Sequence, residues 1–287
     1  MITDAHCHPW DFAQLLGGAE PPIDVETELR QTGTACATSA WNQQQFEYHE
    51  LLSAKARKEG APPVFCCFAL HPQLPASSDN ADFSPEAGLE FLHSVASGDR
   101  LHAVGEAGFD LYSDEFKAAE KLQDELFVRH LEVALQYGLP MVLHLRRAMH
   151  KVFPFTSQLK KLPAVVFHSW PGTVGDGQAL LRRGVNAFFS FGATVLKNHR
   201  ATMACATLFP PDRILFETDA PYQPLRGRDF SSWRDLPQVC QSIATLRKQA
   251  HSSAADPELL QEITTANFFR AFDPESHVLR PPPPPEG

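Results

Sequence analysis

Residues 115–145, EFKAAEKLQDELFVRHLEVALQYGLPMVLHL, join a long amphipathic segment directly to a short apolar one. Within Glu115–Tyr137 the apolar residues recur at helical spacing, at Leu122, Leu126, Phe127, Leu131, Ala134 and Leu135. Gly138 is a typical helix stop, and Pro140–Leu145 has the composition of a buried strand. The stretch therefore predicts a helix that leads into a strand, which is one unit of an α/β fold.

The same alternation continues along the 287 residues of the chain. Seven more strands are predicted, at Ile2–Ala5, Thr34–Thr38, Val64–Leu70, Leu101–Gly105, Ala164–His168, Val185–Phe191 and Arg213–Phe216. The other predicted helices are Glu47–Glu59, Pro85–Ser97, Val174–Arg183 and Leu236–His251. Eight strands separated by helices indicate a parallel sheet and favour an α/β fold of the (β/α)8 TIM barrel type. A doubly wound open sheet is the alternative, but no G-x-G-x-x-G loop follows the first strand.

Composition suggests one enzyme-sized domain. The hydrophobic fraction of 43% is sufficient for a sizeable core, and we expect a single barrel domain over residues 1–275. Pro281 to Pro285 cannot form a helix or a central strand, so residues 276–287 are expected to be a disordered tail. Leu74–Phe83, which contains Pro, Ser, Asp and Asn, is interpreted as a surface loop.

The sequence also limits where the chain works and what it binds. No apolar run approaches the ~20 residues that span a bilayer, and residues 1–4 do not begin a signal peptide, so we expect a cytoplasmic protein without a membrane partner. Six cysteines without C-x-x-C spacing argue against a thiolate zinc site and against disulfides. The net charge of −9 argues against broad adhesion to nucleic acid but permits a local basic patch.

Metal-competent side chains stand where five of the predicted strands end. They are His6 and His8 after the first strand, Glu106 after the fourth, His144 and His168 at the ends of the fifth and sixth, and Asp219 after the eighth. The carboxyl ends of barrel strands all meet on one face, where the active site lies. A single histidine there is usually a polar residue leaving the core, and a lone carboxylate can cap the next helix. Six such side chains on five strands instead predict a metal site.

Histidine and carboxylate ligands without thiolate suit zinc, manganese, iron or cobalt, and magnesium where water completes the shell. Six ligands exceed the three or four of one catalytic zinc ion. They match two divalent metal ions that share a carboxylate, and Glu106 is the natural bridge. Two such ions activate a water molecule for in-line attack, so the predicted chemistry is hydrolysis.

Several segments together form a specific set of motifs. They are Asp4-Ala5-His6-Cys7-His8, Val104-Gly105-Glu106-Ala107-Gly108-Phe109-Asp110, Pro140-Met141-Val142-Leu143-His144-Leu145-Arg146, Phe167-His168-Ser169, Glu217-Thr218-Asp219-Ala220-Pro221-Tyr222 and Thr264-Thr265-Ala266-Asn267-Phe268-Phe269. These segments resemble the signatures of the TatD family of metal-dependent deoxyribonucleases, over nearly the whole chain except the proline tail. The resemblance implies an amidohydrolase-type TIM barrel with a two-metal site that hydrolyses DNA.

The resemblance also implies roles for individual residues. One ion would be held by His6, His8 and Asp219 and the other by His144 and His168, with Glu106 bridging them. Asp219 would in addition orient or deprotonate the attacking water, which makes Glu106 and Asp219 the catalytic carboxylates.

Three more residues are candidates for substrate binding through the same resemblance. Ala69-Leu70-His71-Pro72 resembles the family's Gly-x-His-Pro segment, which implies that His71 lies in the substrate cleft. Arg146 and Lys197 match basic positions of the family and would contact phosphate, although ordinary surface solvation explains both equally well. The segments 167–172 and 226–237 depart from the family pattern, which leaves the substrate range open.

The function expected from these observations is 3′–5′ exonuclease action on single-stranded DNA by a monomer. A metal hydrolase of an amide, lactone or phosphotriester is the alternative enzyme, because this fold supports all of these reactions. Many such relatives carry a carbamylated lysine on the fourth strand, where this chain has Glu106. A barrel that only binds a ligand would be favoured by missing metal ligands, and none is missing.

The remaining histidines and the tryptophans are not expected to take part in catalysis. His49, His93, His130, His150, His199, His251 and His277 lie in predicted helices or loops and are interpreted as solvated. Trp41, Trp170 and Trp233 are placed near the barrel mouth, where packing is favoured over stacking on bases. Cys7 lies between the paired histidines and is expected to point away from them into the core.

Overall fold

The computed structural model describes residues 1–16, 24–76, 84–273 and 275. Eight strands form one sheet in chain order, and each strand runs parallel to the next. The strands are β1 (Ile2–Cys7), β2 (Thr34–Ala40), β3 (Val64–Phe68), β4 (Ala103–Asp110), β5 (Met141–Arg146), β6 (Val165–Phe167), β7 (Ala187–Phe191) and β8 (Ile214–Phe216). All eight predicted strands are confirmed, and the fold is the predicted (β/α)8 barrel.

Helices connect the strands and cover the outside of the sheet. They are α1 (Pro9–Leu16), α2 (Val25–Thr32), α3 (Gln43–Glu59), α4 (Pro85–Ser97), α5 (Asp114–Ala118), α6 (Glu120–Tyr137), α7 (Thr156–Leu159), α8 (Val174–Arg182), α9 (Ala193–Leu196), α10 (Arg200–Leu208), α11 (Leu236–Gln249) and α12 (Pro257–Phe272). The short helices α1, α2, α7, α9 and α10 were not predicted, because four to nine residues carry little periodic signal.

The prediction of one helix over Glu115–Tyr137 was wrong. Two helices, α5 and α6, meet at Ala119, whose φ of −93° and ψ of 7° interrupt the helical backbone. The side chain of Gln123 donates a hydrogen bond of 2.8 Å to the carbonyl oxygen of Phe116 and therefore satisfies that carbonyl at the end of α5. The same amide donates to Asp110 O at 3.0 Å, which anchors the start of α6 to β4.

The first and last strands close the barrel through hydrogen bonds around a buried carboxylate. The side chain of Asp4 accepts hydrogen bonds from Thr218 N at 3.0 Å and from Thr218 Oγ1 at 2.5 Å. Just beyond, Asp219 N donates to His6 O at 3.0 Å and His8 N donates to Ala220 O at 2.7 Å. Burial raises the pKa of Asp4 to about 7, although the hydrogen bonds from Thr218 oppose the shift. These contacts bring β1 and the segment after β8 together at the residues predicted to bind metal.

Apolar side chains fill the barrel interior, and the candidate metal ligands lie above them at its upper end. Val142, Val166 and Phe188 point into the interior, where they meet Phe268 and Phe272 of α12. Helix α12 lies at the lower end of the barrel, because the Asn267 side chain donates to Ile214 O at the first residue of β8, at 2.8 Å. The lower end is therefore plugged, and a ligand reaches the interior from the carboxyl ends of the strands.

Further predictions concern the cysteines, the surface loop and the C-terminal tail. All six cysteines are buried and unpaired, and Cys7 packs in the core as expected. Leu74–Ala76 of the predicted loop forms a single 3-10 turn, whereas residues 77–83 lie outside the described part, as does the predicted tail over residues 276–287. Among the described residues, we find no helix with the length and apolar character needed to cross a membrane.

Strands β4 and β5 approach so closely that one position between them requires glycine. Gly108 pairs with His144 and has a φ of +143°, a conformation that other residues rarely adopt. A Cβ atom built on Gly108 would lie 2.0 Å from the carbonyl oxygen of His144. Gly33, with a φ of +64°, has nothing within 4 Å of such a Cβ and provides a contrast.

We expect Gly108→Ala to lower the free energy of unfolding by about 3 kcal/mol or more, because it combines backbone strain with a clash against β5. Gly33→Ala, which adds only the strain of the left-handed conformation, is expected to cost about 1 kcal/mol. Urea denaturation of both variants measures the difference. Equal losses in the two variants would show that the close approach of β4 and β5 is not required.

Candidate metal centre

The barrel interior continues upward into the predicted ligands. On β5 and β6, the inward positions of Val142 and Val166 are followed two residues later by His144 and His168. Because side chains of a strand alternate, these histidines point into the mouth above the apolar interior. The same alternation that places Val142 and Val166 in the core thus places His144 and His168 together at the barrel mouth.

Two strands carry an irregularity at the ligand itself. The pairing of β1 with β2 shifts register between Asp4 and Cys7, and that of β4 with β5 shifts between Val104 and Ala107. Each shift inserts one extra residue, which re-aims the side chains beside it. His6 and Glu106 lie in these two irregularities. Strands β1 and β4 run past the ligands, so both residues lie within strands and not beyond them as predicted.

The first group of converging side chains consists of His6, His8 and Asp219. The Nε2 atoms of His6 and His8 lie 3.1 Å apart. The Oδ1 atom of Asp219 lies 3.6 Å from Nε2 of His6 and 3.4 Å from Nε2 of His8. Two ring nitrogens and a carboxylate oxygen therefore face one point, as the ligands of a metal ion do.

Glu106 lies at the centre of the site and offers its two oxygens to different neighbours. Oε2 is 3.1 Å from Nε2 of His6. Oε1 is 2.6 Å from Nδ1 of His144 and 3.6 Å from Nε2 of His168. The carboxylate is 3% exposed, so its charge is balanced almost entirely by these rings. A carboxylate with one oxygen towards each of two ligand groups has the arrangement of a bridging ligand.

His71 lies closer to the centre than a substrate-cleft residue needs to. Its Nε2 atom is 3.5 Å from Oε2 of Glu106, and it forms a third group of potential metal donors with Glu106 and His144. The sequence placed His71 in the cleft but did not identify it as a possible ligand. Strand β3 ends at Phe68, and two further residues carry the chain inward to His71.

Carboxylates behind the histidines orient two of the rings. Glu217 Oε2 is 3.0 Å from Nδ1 of His168 and also accepts hydrogen bonds from Ser169 N and Ser190 Oγ. Asp110 Oδ2 is 3.1 Å from Nε2 of His144. A second carboxylate that holds one ring nitrogen turns the other nitrogen towards the centre and strengthens it as a ligand.

These supporting roles were not predicted from the sequence, although the spacing of the acidic residues indicates them. Asp4 precedes His6 by two residues, Glu217 precedes Asp219 by two, and Asp110 follows Glu106 by four. Even spacing on a strand places side chains on one face. Acidic residues at even distances from a predicted ligand were therefore the available signal.

The pKa values of the two central carboxylates are lowered. Burial would raise the pKa of Glu106, but the surrounding histidines, His6 and His71 first among them, hold it well below its ordinary value. Burial likewise opposes ionisation of Asp219, and its attraction to His168 and hydrogen bond to His8 lower its pKa to about 2. Both groups are therefore carboxylate anions at neutral pH.

The pKa of each histidine depends on whether attraction to the carboxylates outweighs the effect of burial. Burial lowers the pKa of His144 and His168, but for His144 the attraction of Glu106 outweighs it and raises the pKa to about 9. For His168 the attraction of Glu217 does the same and raises the pKa to about 10. Burial lowers the pKa of His6, whose ring is neutral. A site that attracts protons to this extent also attracts divalent cations, which compete for the same nitrogen atoms.

The donor set fits a metal centre. It contains imidazole nitrogens and carboxylate oxygens, and the atoms of each three-residue group lie within 4.8 Å of one another. Buried, ionised carboxylates surrounded by ring nitrogens suit a divalent transition metal such as zinc or manganese. The structure thus brings together all six predicted metal ligands and adds His71.

A cleft of about 850 Å³ opens above these side chains. His71 and Arg146, two of the predicted substrate-binding residues, line it together with Trp41. Lys197 lies at the rim, where its ammonium group donates a hydrogen bond of 3.2 Å to the carbonyl oxygen of Gln223, a lining residue. Gln223 in turn donates to Oδ2 of Asp219 at 2.8 Å and so holds that carboxylate in place.

The interpretation of the remaining histidines as solvated was wrong for two of them. His49 and His130 are 0% and 1% exposed, and burial lowers the pKa of each to about 3. His130 Nε2 accepts a hydrogen bond of 3.1 Å from Leu70 N, immediately before His71. His277 lies outside the described residues. Trp170 and Trp233 are buried, which confirms their packing role.

Comparison with known proteins places the chain among nucleases. A profile of the family described as TatD related DNase matches residues 3–273. A protein of Citrobacter rodentium named 3'-5' ssDNA/RNA exonuclease TatD is 28% identical over 229 residues, which cover 78% of this chain and 82% of the relative. Its namesake from Musicola paradisiaca is 30% identical over 225 residues, with coverage of 75% and 79%.

Solved structures share the fold. A TatD homologue from Escherichia coli superposes with a TM-score of 0.75 at 23% identity, covering 94% of this chain and 97% of the homologue. A TatD family hydrolase from Entamoeba histolytica gives a TM-score of 0.70 at 14% identity, covering 95% and 98%. At these identities the likeness concerns the barrel alone.

Glu217 provides a test of the site that does not depend on catalysis. We expect Glu217→Gln to weaken metal binding about 10- to 100-fold, because the amide no longer holds the His168 ring with a negative charge. Titration of the apoprotein with zinc or manganese in competition with a chelating dye measures the loss. Glu258→Gln, an exposed change in the first turn of α12, serves as the matched control. Equal affinity in the two variants would contradict the supporting role of Glu217.

Proposed function

Because the chain belongs to the TatD-related DNase family, we propose that it is a metal-dependent deoxyribonuclease that removes nucleotides from the 3′ end of single-stranded DNA. The observation that carries the proposal is Glu106, a buried carboxylate with histidines of several strands around it at the mouth of the barrel. The relatives named as 3'-5' ssDNA/RNA exonucleases support the choice of bond and substrate, and extend the expectation to single-stranded RNA.

The proposed cofactor is a pair of divalent metal ions. One would be held by His6, His8 and Asp219, and the other by His144 and His168, with Glu106 shared between them. The position of each Glu106 oxygen supports this division. His71 lies close enough to Glu106 to contribute to the second group. When bound, the ions supply Lewis acidity and lower the pKa of water.

The chain's own residues perform the remaining tasks of hydrolysis. Asp219, held by Gln223, orients the attacking water and accepts its proton on a carboxylate oxygen. Arg146 lines the cleft and offers a guanidinium fork to a non-bridging phosphate oxygen. Lys197 at the rim provides a second positive charge for the strand. The plugged interior below the site prevents the substrate from entering further.

The alternative enzyme, a hydrolase of amides, lactones or phosphotriesters, shares the barrel. An amidohydrolase from Burkholderia multivorans matches this fold with a TM-score of 0.55 at 13% identity, which concerns the fold alone. The fourth strand of this chain offers Glu106 and no lysine, and this favours the nuclease.

Further proposals concern the protein as a whole. We place the catalytic unit in residues 1–275 and expect it to act as a monomer. A cytoplasmic location agrees with six buried cysteines that form no disulfide.

We expect Glu106→Gln to reduce kcat on single-stranded DNA at least about 1,000-fold, because it removes the charge at the centre of the site. The assay uses a 5′-labelled oligonucleotide with manganese, magnesium or zinc, and a ladder that shortens from the 3′ end is the expected product pattern. Glu90→Gln, an exposed carboxylate on α4, is the matched control and should retain full activity.

Two outcomes would contradict the proposed function. One is full activity of Glu106→Gln. The other is hydrolysis of a lactone, amide or phosphotriester by the wild type with no DNA or RNA cleavage under any of these metals. A circular single-stranded substrate separates modes of attack, because a 3′ exonuclease leaves it intact.

Metal content provides a separate prediction. After reconstitution and dialysis, the wild type is expected to retain about two ions per chain. His144→Ala and His8→Ala should each lower the content by about one, because they act on different groups. Elemental analysis of the purified proteins measures the content. A single ion in the wild type, lost equally in both variants, would contradict the two-ion site.

A further inference from the structure

Beside the metal centre lies a small cluster formed by Tyr112, Arg146 and Arg147. The proposed chemistry gives a role to Arg146 but none to the other two residues. The Arg146 guanidinium carbon lies 3.6 Å from the centroid of the Tyr112 ring, and that of Arg147 lies 4.6 Å from it. All three residues are exposed, with Tyr112 at 46%. Exposed aromatic and cationic groups of this kind are typical of surfaces that bind nucleic acid.

The two arginines keep their hydrogen-bond donors for a ligand. Within the described chain, neither guanidinium forms an ion pair or a side-chain hydrogen bond, and the Tyr112 ring is the contact that holds both. Two unpaired positive charges on consecutive residues repel each other. The face of the Tyr112 ring offsets only part of this repulsion. An anion bound between the two guanidinium groups would offset more of it.

Backbone conformation supports the same conclusion. Arg147 has a φ of 57°, in the left-handed region that residues with a Cβ seldom adopt. The strand therefore turns abruptly after Arg146, and the turn places Arg147 over the Tyr112 ring. The same turn keeps both guanidinium groups beside one ring.

The cluster connects the catalytic cleft to a neighbouring hollow. Arg146 lines the cleft, and Arg147 lines a hollow of about 400 Å³ together with His150. Pro171 lines both, so the two spaces are neighbours on the surface. Asp176 also borders the hollow, but its carboxylate accepts hydrogen bonds from the backbone and side chain of Thr173.

The spacing along β5 suits a polynucleotide. His144 and Arg146 are two residues apart on one face of the strand, which corresponds to about 7 Å. This is the scale of one nucleotide repeat. A strand whose terminal phosphate lies at the metal centre would thus bring its next phosphates to the arginines.

We infer that Tyr112, Arg146 and Arg147 form a phosphate-binding platform that guides the single strand from the catalytic cleft into the hollow beside it. The inference rests on the proposed function and adds the path of the substrate. Tyr112 acts as a positioning residue that holds the two guanidinium groups, and Arg147 contacts a phosphate that is not cleaved.

Binding without cleavage provides the test. Fluorescence anisotropy in EDTA measures the affinity of fluorescein-labelled dT12 and dT2. The single phosphodiester of dT2 occupies the cleft, whereas dT12 has further phosphates that reach the arginines. We expect Arg147→Asn to bind dT12 about tenfold more weakly, because a charge-assisted contact is lost, and dT2 nearly as the wild type does. Asparagine tolerates the left-handed conformation, so the variant is expected to fold.

The salt dependence and the ring variants add independent readouts. Loss of one phosphate contact should reduce the slope of log affinity against log salt concentration by about 0.7. Tyr112→Ala should weaken dT12 binding about threefold, and Tyr112→Phe should restore it because the ring is retained. Arg57→Ala, which removes the same charge near the C-terminus of α3, should leave dT12 affinity unchanged.

Three outcomes would overturn the platform: dT12 affinity of Arg147→Asn within twofold of wild type, an equal loss in Arg57→Ala, or no binding of dT12 by the wild type. Cleavage is assayed separately with added manganese. A wild type that binds dT12 through Arg147 but cleaves no nucleic acid would support the platform and contradict the proposed function.

Discussion

The buried charge of Glu106 is the constraint on which the rest of the structure depends. A carboxylate removed from water is unstable unless cationic or hydrogen-bonding groups replace the lost hydration. Here the replacement comes from His6, His144 and His168, on different strands, and the pKa of Glu106 falls despite its burial. Those rings in turn need orientation, which requires further acidic groups such as Glu217. One buried charge thus determines a network around the whole mouth of the barrel.

Backbone irregularities follow from the same requirement. A regular β4 paired with a regular β5 would send alternate side chains inward without the shift of register that occurs at Glu106. The shift brings the strands so close that a Cβ on Gly105 would lie 2.5 Å from the Cβ of Val142. Asp219 has a φ of 57°, another conformation that costs stability. The packed interior and the plug formed by α12 offset these costs at the opposite end, so strain at the mouth coexists with a stable barrel.

The sequence predicted the strands and the convergence of the six candidate ligands because both follow local rules. Apolar runs identify strands, and polar residues at their carboxyl ends identify the mouth. What the sequence could not predict depends on contacts between distant segments. At the break beside Ala119, the side-chain amide of Gln123 donates both to Phe116 O and to Asp110 O of β4. The burial of His130 depends on its hydrogen bond to Leu70 N, 60 residues away. Helical periodicity alone gives no indication of either contact.

An acidic protein that binds a polyanion must confine its attraction to a few places. The chain carries a net charge of −9, and the candidate metal centre contains ionised carboxylates that repel phosphate. Divalent cations bound there would offset this negative charge, so substrate affinity at the proposed site would depend on metal loading. Arg146 and Arg147 are positively charged and attract the strand independently of metal. Local attraction of this kind suits the single strand of the proposed function, because the net negative charge of the chain disfavours broad adhesion of a duplex.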